Sequence, residues 1–202
     1  MAKISVLITL SLLFLLAACA QSGGQGKVRP AGVAGAFYPA GPDELSKMVD
    51  GFLATAQVPS IDEPLIALIA PHAGYPFSGA VASHSYALLK NRKFHRVVII
   101  APSHYEAFSY SAVYDGDAYV TPLGRIPVDK AFAAALAKQS ALIRLSGRGH
   151  DRSGEQYEHS LEVQLPFLQR TLAQFQVVPI IMGDQSYEAS RALVELVLKW
   201  TG

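Results

Sequence analysis

The chain has a single cysteine, Cys19, among 202 residues, so it can form no internal disulfide. Charged side chains are sparse, 16% of the total, and nearly balanced in sign. No block of lysines and arginines occurs, and nothing in the charge pattern suggests a nucleic-acid surface. After the N-terminal segment no apolar run is long enough to cross a bilayer, which takes about 20 residues. No self-similar period of solenoid or propeller length is present.

What is present begins with Lys3, the only charge before Lys27, followed by an apolar stretch from Ser5 to Leu16. One positive charge before a short apolar run is the pattern of a signal peptide. The run ends in Leu16-Ala17-Ala18-Cys19, which resembles a bacterial lipobox; there the cysteine is acylated and becomes the first mature residue. The reading is a signal peptide over residues 1–18, a lipidated Cys19 with a Gly/Ser/Gln tether over 19–28, and a folded domain over 29–202. An exported lipoprotein on a periplasm-facing membrane surface is expected. Ala20 after the cysteine favours the outer membrane by resemblance to the Gram-negative sorting rule.

Within the domain, Pro42-Asp43-Glu44 suits a helix start, with Leu45, Met48, Val49 and Phe52 on one face. Leu65–Ala70 is continuously apolar, as expected of a strand buried on both faces, and it ends at Pro71-His72. A helix from about Gly79 to Lys90 and a second buried strand, Val97–Ala101, complete a βαβ unit. Weaker strands are expected at Ala112–Tyr114 and Ala118–Val120, and a helix over Val128–Lys138. A polar loop should cover Ser146–Gln156, and a helix His159–Phe175, with Pro166 as a kink or late start. A strand at Val177–Met182 and a last helix at Tyr187–Trp200 follow. The alternation predicts an α/β fold, a three-layer α/β/α arrangement with a mostly parallel central sheet.

Two strands thus end almost alike, in Ala70-Pro71-His72 and in Ala101-Pro102-Ser103-His104. Ligands of open α/β sheets bind beyond the carboxyl ends of the strands. Neighbouring strands would place His72 and His104 side by side there, which suits a metal held by imidazole nitrogens; a pair of hydrogen-bonding loop histidines is the plainer alternative. His159 and Glu162, three apart, would share a helix face and could look into the same cleft as catalytic or ligating residues; Glu158 and Glu162 could equally stabilise the helix start. His84 reads as structural, and His95 and His150, flanked by charged or glycine neighbours, as exposed. Tyr75 and Tyr105 could line the pocket or pack at its edge. Asp115 and Asp117 flank Gly116 as turn formers do.

Five blocks carry a family resemblance. They are Arg29-Pro30-Ala31-Gly32-Val33-Ala34-Gly35-Ala36-Phe37-Tyr38-Pro39, Ile69–Tyr75 with Ser78-Gly79, Pro102-Ser103-His104, Thr121-Pro122-Leu123-Gly124, and Glu158–Phe167. In this order the chain resembles Memo-like proteins, known in bacteria as AmmeMemoRadiSam system protein B. These look like class III extradiol ring-cleaving dioxygenases, which use non-haem iron. The resemblance implies metal binding, as iron or copper, at His72 and His104, with His159 in the same cleft, and redox or peptide-binding roles. The family pattern continues with a Ser-Ser-Asp-like motif bearing an Asp and a His, and then a metal-binding cysteine. This sequence ends at Gly202 before both, so the resemblance supplies two ligands and no third.

Three functions compete on this reading. The first is a metal-dependent dioxygenase-like oxidoreductase. The second is a non-catalytic lipoprotein that binds a peptide or small molecule in the same cleft. The third is a hydrolase built on Ser103, which lacks an evident triad and the Gly-x-Ser-x-Gly elbow.

Overall fold

The structure is a computed structural model that describes residues 26–199. The segment expected to be a signal peptide, Cys19 and most of the expected tether lie outside the described residues. In chain order the elements are β1 (Val28–Arg29), α1 (Pro42–Thr55), α2 (Tyr75–Ala87), β2 (Arg96–Pro102), β3 (Ser111–Val113), β4 (Ala118–Thr121) and β5 (Gly124–Pro127). There follow α3 (Lys130–Ala137), β6 (Ile143–Leu145), a 3₁₀ turn at Glu162–Gln164, α4 (Leu165–Thr171), β7 (Gln176–Met182) and α5 (Tyr187–Leu198). No described helix is long and apolar enough to cross a membrane.

β2, β7, β3 and β6 form the main sheet in that order. β2 runs parallel to β7 in the register Val97↔Val177 to Pro102↔Met182, and β3 parallel to β6. β3 and β7 are antiparallel, so the sheet is mixed rather than purely parallel, with two of its three pairings parallel. A smaller sheet has the order β1-β4-β5.

The α/β class and its layering follow from alternation along β7. Val178, Ile180 and Met182 turn to one face, where Phe132 and Leu136 of α3 and Leu193 and Val197 of α5 complete a core. Val177 and Ile181 turn to the other, against Leu45 and Val49 of α1, Tyr86 of α2 and Phe167 of α4. Opposite faces at successive residues are the period of an extended strand. A sheet whose strands are apolar on both faces must be covered by helices on both.

Local chemistry sets the helix ends. Pro42 and Pro166 occupy first-turn positions of α1 and α4, where the missing N–H costs nothing. The Asp129 carboxylate caps α3 by accepting the Phe132 N–H, and the Ser186 hydroxyl accepts the Ala189 N–H at the head of α5. Pro166 also settles the expected 159–175 helix: the backbone is irregular through His159, turns once as a 3₁₀ segment, and becomes α-helical only from Leu165.

Two expectations fail. Leu65–Ala70 is not a strand: it pairs with no neighbour, so no βαβ unit forms around α2. Leu65, Leu68 and Ala70 pack on the core while Ile66 and Ile69 are 75% and 93% exposed. The run is apolar on both faces, as a central strand would be, but it covers only one of them. His150 is fully buried rather than exposed, for a reason given below.

Candidate metal centre

Three chain exits converge at the carboxyl ends of β2 and β7. His72 leaves the Leu65–Ala70 run just before α2, His104 leaves β2, and His159 sits on the loop that precedes the 3₁₀ turn. A strap of residues 158–164 holds these exits together. The Ser160 hydroxyl donates to the Pro102 carbonyl (2.7 Å), and Gln164 Nε2 donates to the Pro71 carbonyl (3.2 Å), each to the proline beside a histidine exit. The Tyr75 hydroxyl donates to the Val163 carbonyl, and the Ser103 N–H to the Met182 carbonyl of β7.

The strap is itself anchored by a buried charge. Arg29 and Glu162, 1% and 0% exposed, form an ion pair. Arg29 Nη2 also donates to the Glu158 carbonyl (2.6 Å), and its Nε to the His150 carbonyl (2.8 Å). Glu162 accepts from the Gly32 and Val33 N–H groups (both 3.1 Å) and from the Tyr38 hydroxyl. Each nitrogen of the guanidinium thus has at least one acceptor, as burial of charge demands. Four donors on two oxygens leave Glu162 no lone pair for a metal, and the structure does not bring it to the histidines. His159 precedes the helical turn, so the three-residue spacing that suggested a shared face does not apply.

His72, His104 and His159 do meet. Their ring centroids are 5.2 Å (72–104), 5.9 Å (72–159) and 4.4 Å (104–159) apart, and one ligand nitrogen from each lies within 4.8 Å of the others. Two nitrogens at about 2.1 Å from a tetrahedral metal are roughly 3.4 Å apart, so small ring rotations would close the set. The His159 ring is stacked between Phe37 (4.4 Å) and His104, and its buried Nδ1 has no hydrogen-bond partner. Burial pushes His72 and His159 below the ordinary histidine value; the neighbouring rings add to the shift and the Glu158 carboxylate opposes it. Both are then neutral near pH 7, as ligation requires.

Glu158 lies beneath this cluster, and reasoning from sequence had given it only a helix-start role. Its Oε2 accepts the His104 backbone N–H (2.6 Å), and its Oε1 is 2.9 Å from His104 Nδ1 and from the His159 and Ser160 N–H groups. Burial raises this carboxyl, but the backbone N–H groups of His104 and Ser160 and the His104 ring outweigh it and hold the group below its usual range. The signal in the sequence was an acid directly before His-Ser; its reach to His104, 54 residues away, was not readable locally.

The remaining residues fall outside the cluster. Tyr105 stands at its rim, 41% exposed and edge-on to His159 at 6.1 Å, whereas Tyr75 is core. The Ser103 hydroxyl accepts the Glu106 N–H (3.2 Å), and among the described residues no histidine hydrogen-bonds to it, so the hydrolase arrangement is not assembled. His84 is exposed on α2 with Nδ1 3.0 Å from the Gln57 carbonyl, and His95 is exposed as expected. His150 is buried because both ring nitrogens are paired: Nε2 with the Ala112 carbonyl (2.8 Å) and Nδ1 with the Tyr119 hydroxyl.

The description "Memo-like protein" matches residues 29–201. A MEMO1 family protein of Methanobrevibacter smithii is 38% identical over 183 residues, covering 85% of this chain and 63% of its own length. MEMO1 family proteins of Archaeoglobus fulgidus (37% over 166 residues, 82% and 58%) and Pyrococcus horikoshii (39% over 166 residues, 80% and 55%) are similar too. The chain spans about three fifths of the length of these curated relatives. With the match running from the Arg29 anchor through all three histidines to the last helix, the chain belongs to the Memo-like family.

Proposed function

We propose that this protein binds one redox-active transition-metal ion, iron or copper, through His72, His104 and His159, and works as a dioxygenase-like oxidoreductase on a small organic substrate. The observation that carries the reading is the convergence of three imidazoles from three separate chain exits, two of them held below the ordinary histidine value and one with a buried nitrogen that makes no hydrogen bond. Imidazole suits iron and copper as well as zinc and nickel, and a three-histidine set leaves coordination positions open to other ligands. A metal held there would supply a Lewis-acidic centre able to exchange electrons. The protein's own residues supply the rest. The strap fixes the ring positions, Phe37 shields one face of His159, and half-exposed Tyr105 offers a hydroxyl at the rim.

The test is metal content by mass spectrometry of the purified chain beside His72→Ala, His104→Ala and His159→Ala. Near one iron or copper per chain, lost in each variant, is the expected result. Full metal retained in all three would end the proposal. A second reading, binding without catalysis, draws on exposed Ile69 and Phe77 beside the His72 loop, an apolar surface suited to a peptide or small ligand. Ligand binding that persists after chelation would favour it over the first.

A further inference from the structure

We propose that Glu158 is the positioning residue of the histidine cluster: its carboxylate holds the His104 ring as the Nδ1–H tautomer and leaves Nε2 as the atom offered to a metal. The proposal rests on the metal-binding reading above, but the contacts that carry it are all within the protein.

Glu158 is 4% exposed and receives four N–H directions on its two oxygens. A carboxylate in that position has no proton to give and acts only as acceptor. The His104 nitrogen facing it at 2.9 Å must therefore be the donor, which in a neutral imidazole removes the proton from Nε2. The clamp is double, because Oε2 takes the backbone N–H of the same histidine while Oε1 takes its ring. Backbone and ring held by one rigid group leave the side chain little rotational freedom. His104 needs that restraint, since its side chain is 36% exposed and its other described ring contacts, with His159, His72 and Tyr105, are aromatic packing without a hydrogen bond. The same Oε1 accepts the His159 and Ser160 N–H groups, so one carboxylate sets the loop of one histidine and the ring of another. Arg29 fixes this carboxylate's own backbone through the Glu158 carbonyl. A histidine that gives one N–H to a carboxylate while its other nitrogen faces a metal is a recurrent arrangement, and loss of the carboxylate typically weakens metal binding 10- to 100-fold.

The experiment uses the full chain, labelled with ¹⁵N-histidine and metal-free, at pH 8. Long-range ¹H–¹⁵N spectra are expected to show His104 with its proton on Nδ1; Nε2–H in the wild-type protein overturns the proposal without any variant. Glu158→Gln places an amide where four donors converge. It is expected to release the His104 tautomer into a mixture and to weaken Zn²⁺ binding, measured by chelator competition, by 10- to 100-fold. An unchanged tautomer with unchanged Zn²⁺ affinity in that variant also overturns it. Wild-type protein that shows the Nδ1–H tautomer but takes up no Zn²⁺ keeps the positioning role and removes the metal reading instead.

Discussion

Acidification should unfold this protein from within, through His150, before the carboxylates have been titrated. Its ring is fully buried, packed by Tyr114 and Tyr119 and close to the Arg29 network, and both nitrogens are already paired. Burial pushes its pKa down to about 3; the Ala112 carbonyl opposes the shift and Arg29 adds to it. An unfolded chain offers the same ring near 6.5. The folded value is the depressed one, so His150 favours the fold fully above about pH 6.5, and that contribution is lost as pH falls toward 3. In the window between the two values unfolding takes up one proton on this residue, a slope of about 1.4 kcal/mol per pH unit and roughly 5 kcal/mol in all. Urea unfolding followed by circular dichroism from pH 7 to pH 4 would measure it. His72 and His159 are depressed as well and steepen the same limb, so the informative quantity is the difference between wild type and His150→Gln. Glutamine keeps a donor and an acceptor but does not titrate. The gap between the two proteins should shrink by about 3 kcal/mol between pH 7 and pH 4. Parallel curves, with a gap constant to about 0.5 kcal/mol, would refute the reasoning.

Glu162→Ala should destabilise the protein by about 3–5 kcal/mol, because it leaves the buried Arg29 guanidinium uncompensated and the Gly32 and Val33 N–H groups and the Tyr38 hydroxyl without their acceptor. A loss below about 1 kcal/mol in urea unfolding would show that the pair is hydrated instead. Asp129→Ala removes the α3 cap and the Arg96 partner, and should cost about 1–2 kcal/mol. Asp129→Asn should recover most of this by thermal melting, and equal losses in the two variants would count against the cap.

The elements legible in the sequence were those whose cause is local. α1 and α5 have their proline or serine starts and one apolar face, and β2 and β7 are apolar runs that do find partners. The meeting of His72 and His104 was foreseen from their shared proline exits, and it survives although one of the two supposed strands is not a strand. Leu65–Ala70 misled because apolarity marks what a segment could bury and not what pairs with it. β1, β5 and β6 are two to four residues long, too short to carry a period. Glu158, Glu162 and His150 were hidden for a different reason. Each owes its role to partners far along the chain, and a polar residue in a glycine-rich stretch looks solvated until the buried arginine that pairs with its surroundings is known.

The Arg29–Glu162 tie also orders events in time. It joins the first described strand to a residue 133 positions later, and the Glu158 clamp and the Gln164 contact to the Pro71 carbonyl span 54 and 93 positions. A ribosome making this chain releases His72 and His104 long before the strap that fixes them. Until residue 164 emerges, the two rings sit on unanchored exits, and Arg29 waits as an unpaired cation. Assembly of the three-histidine cluster is then a late event that waits for the strap, so the three rings come together only in chain that has already made its long-range ties.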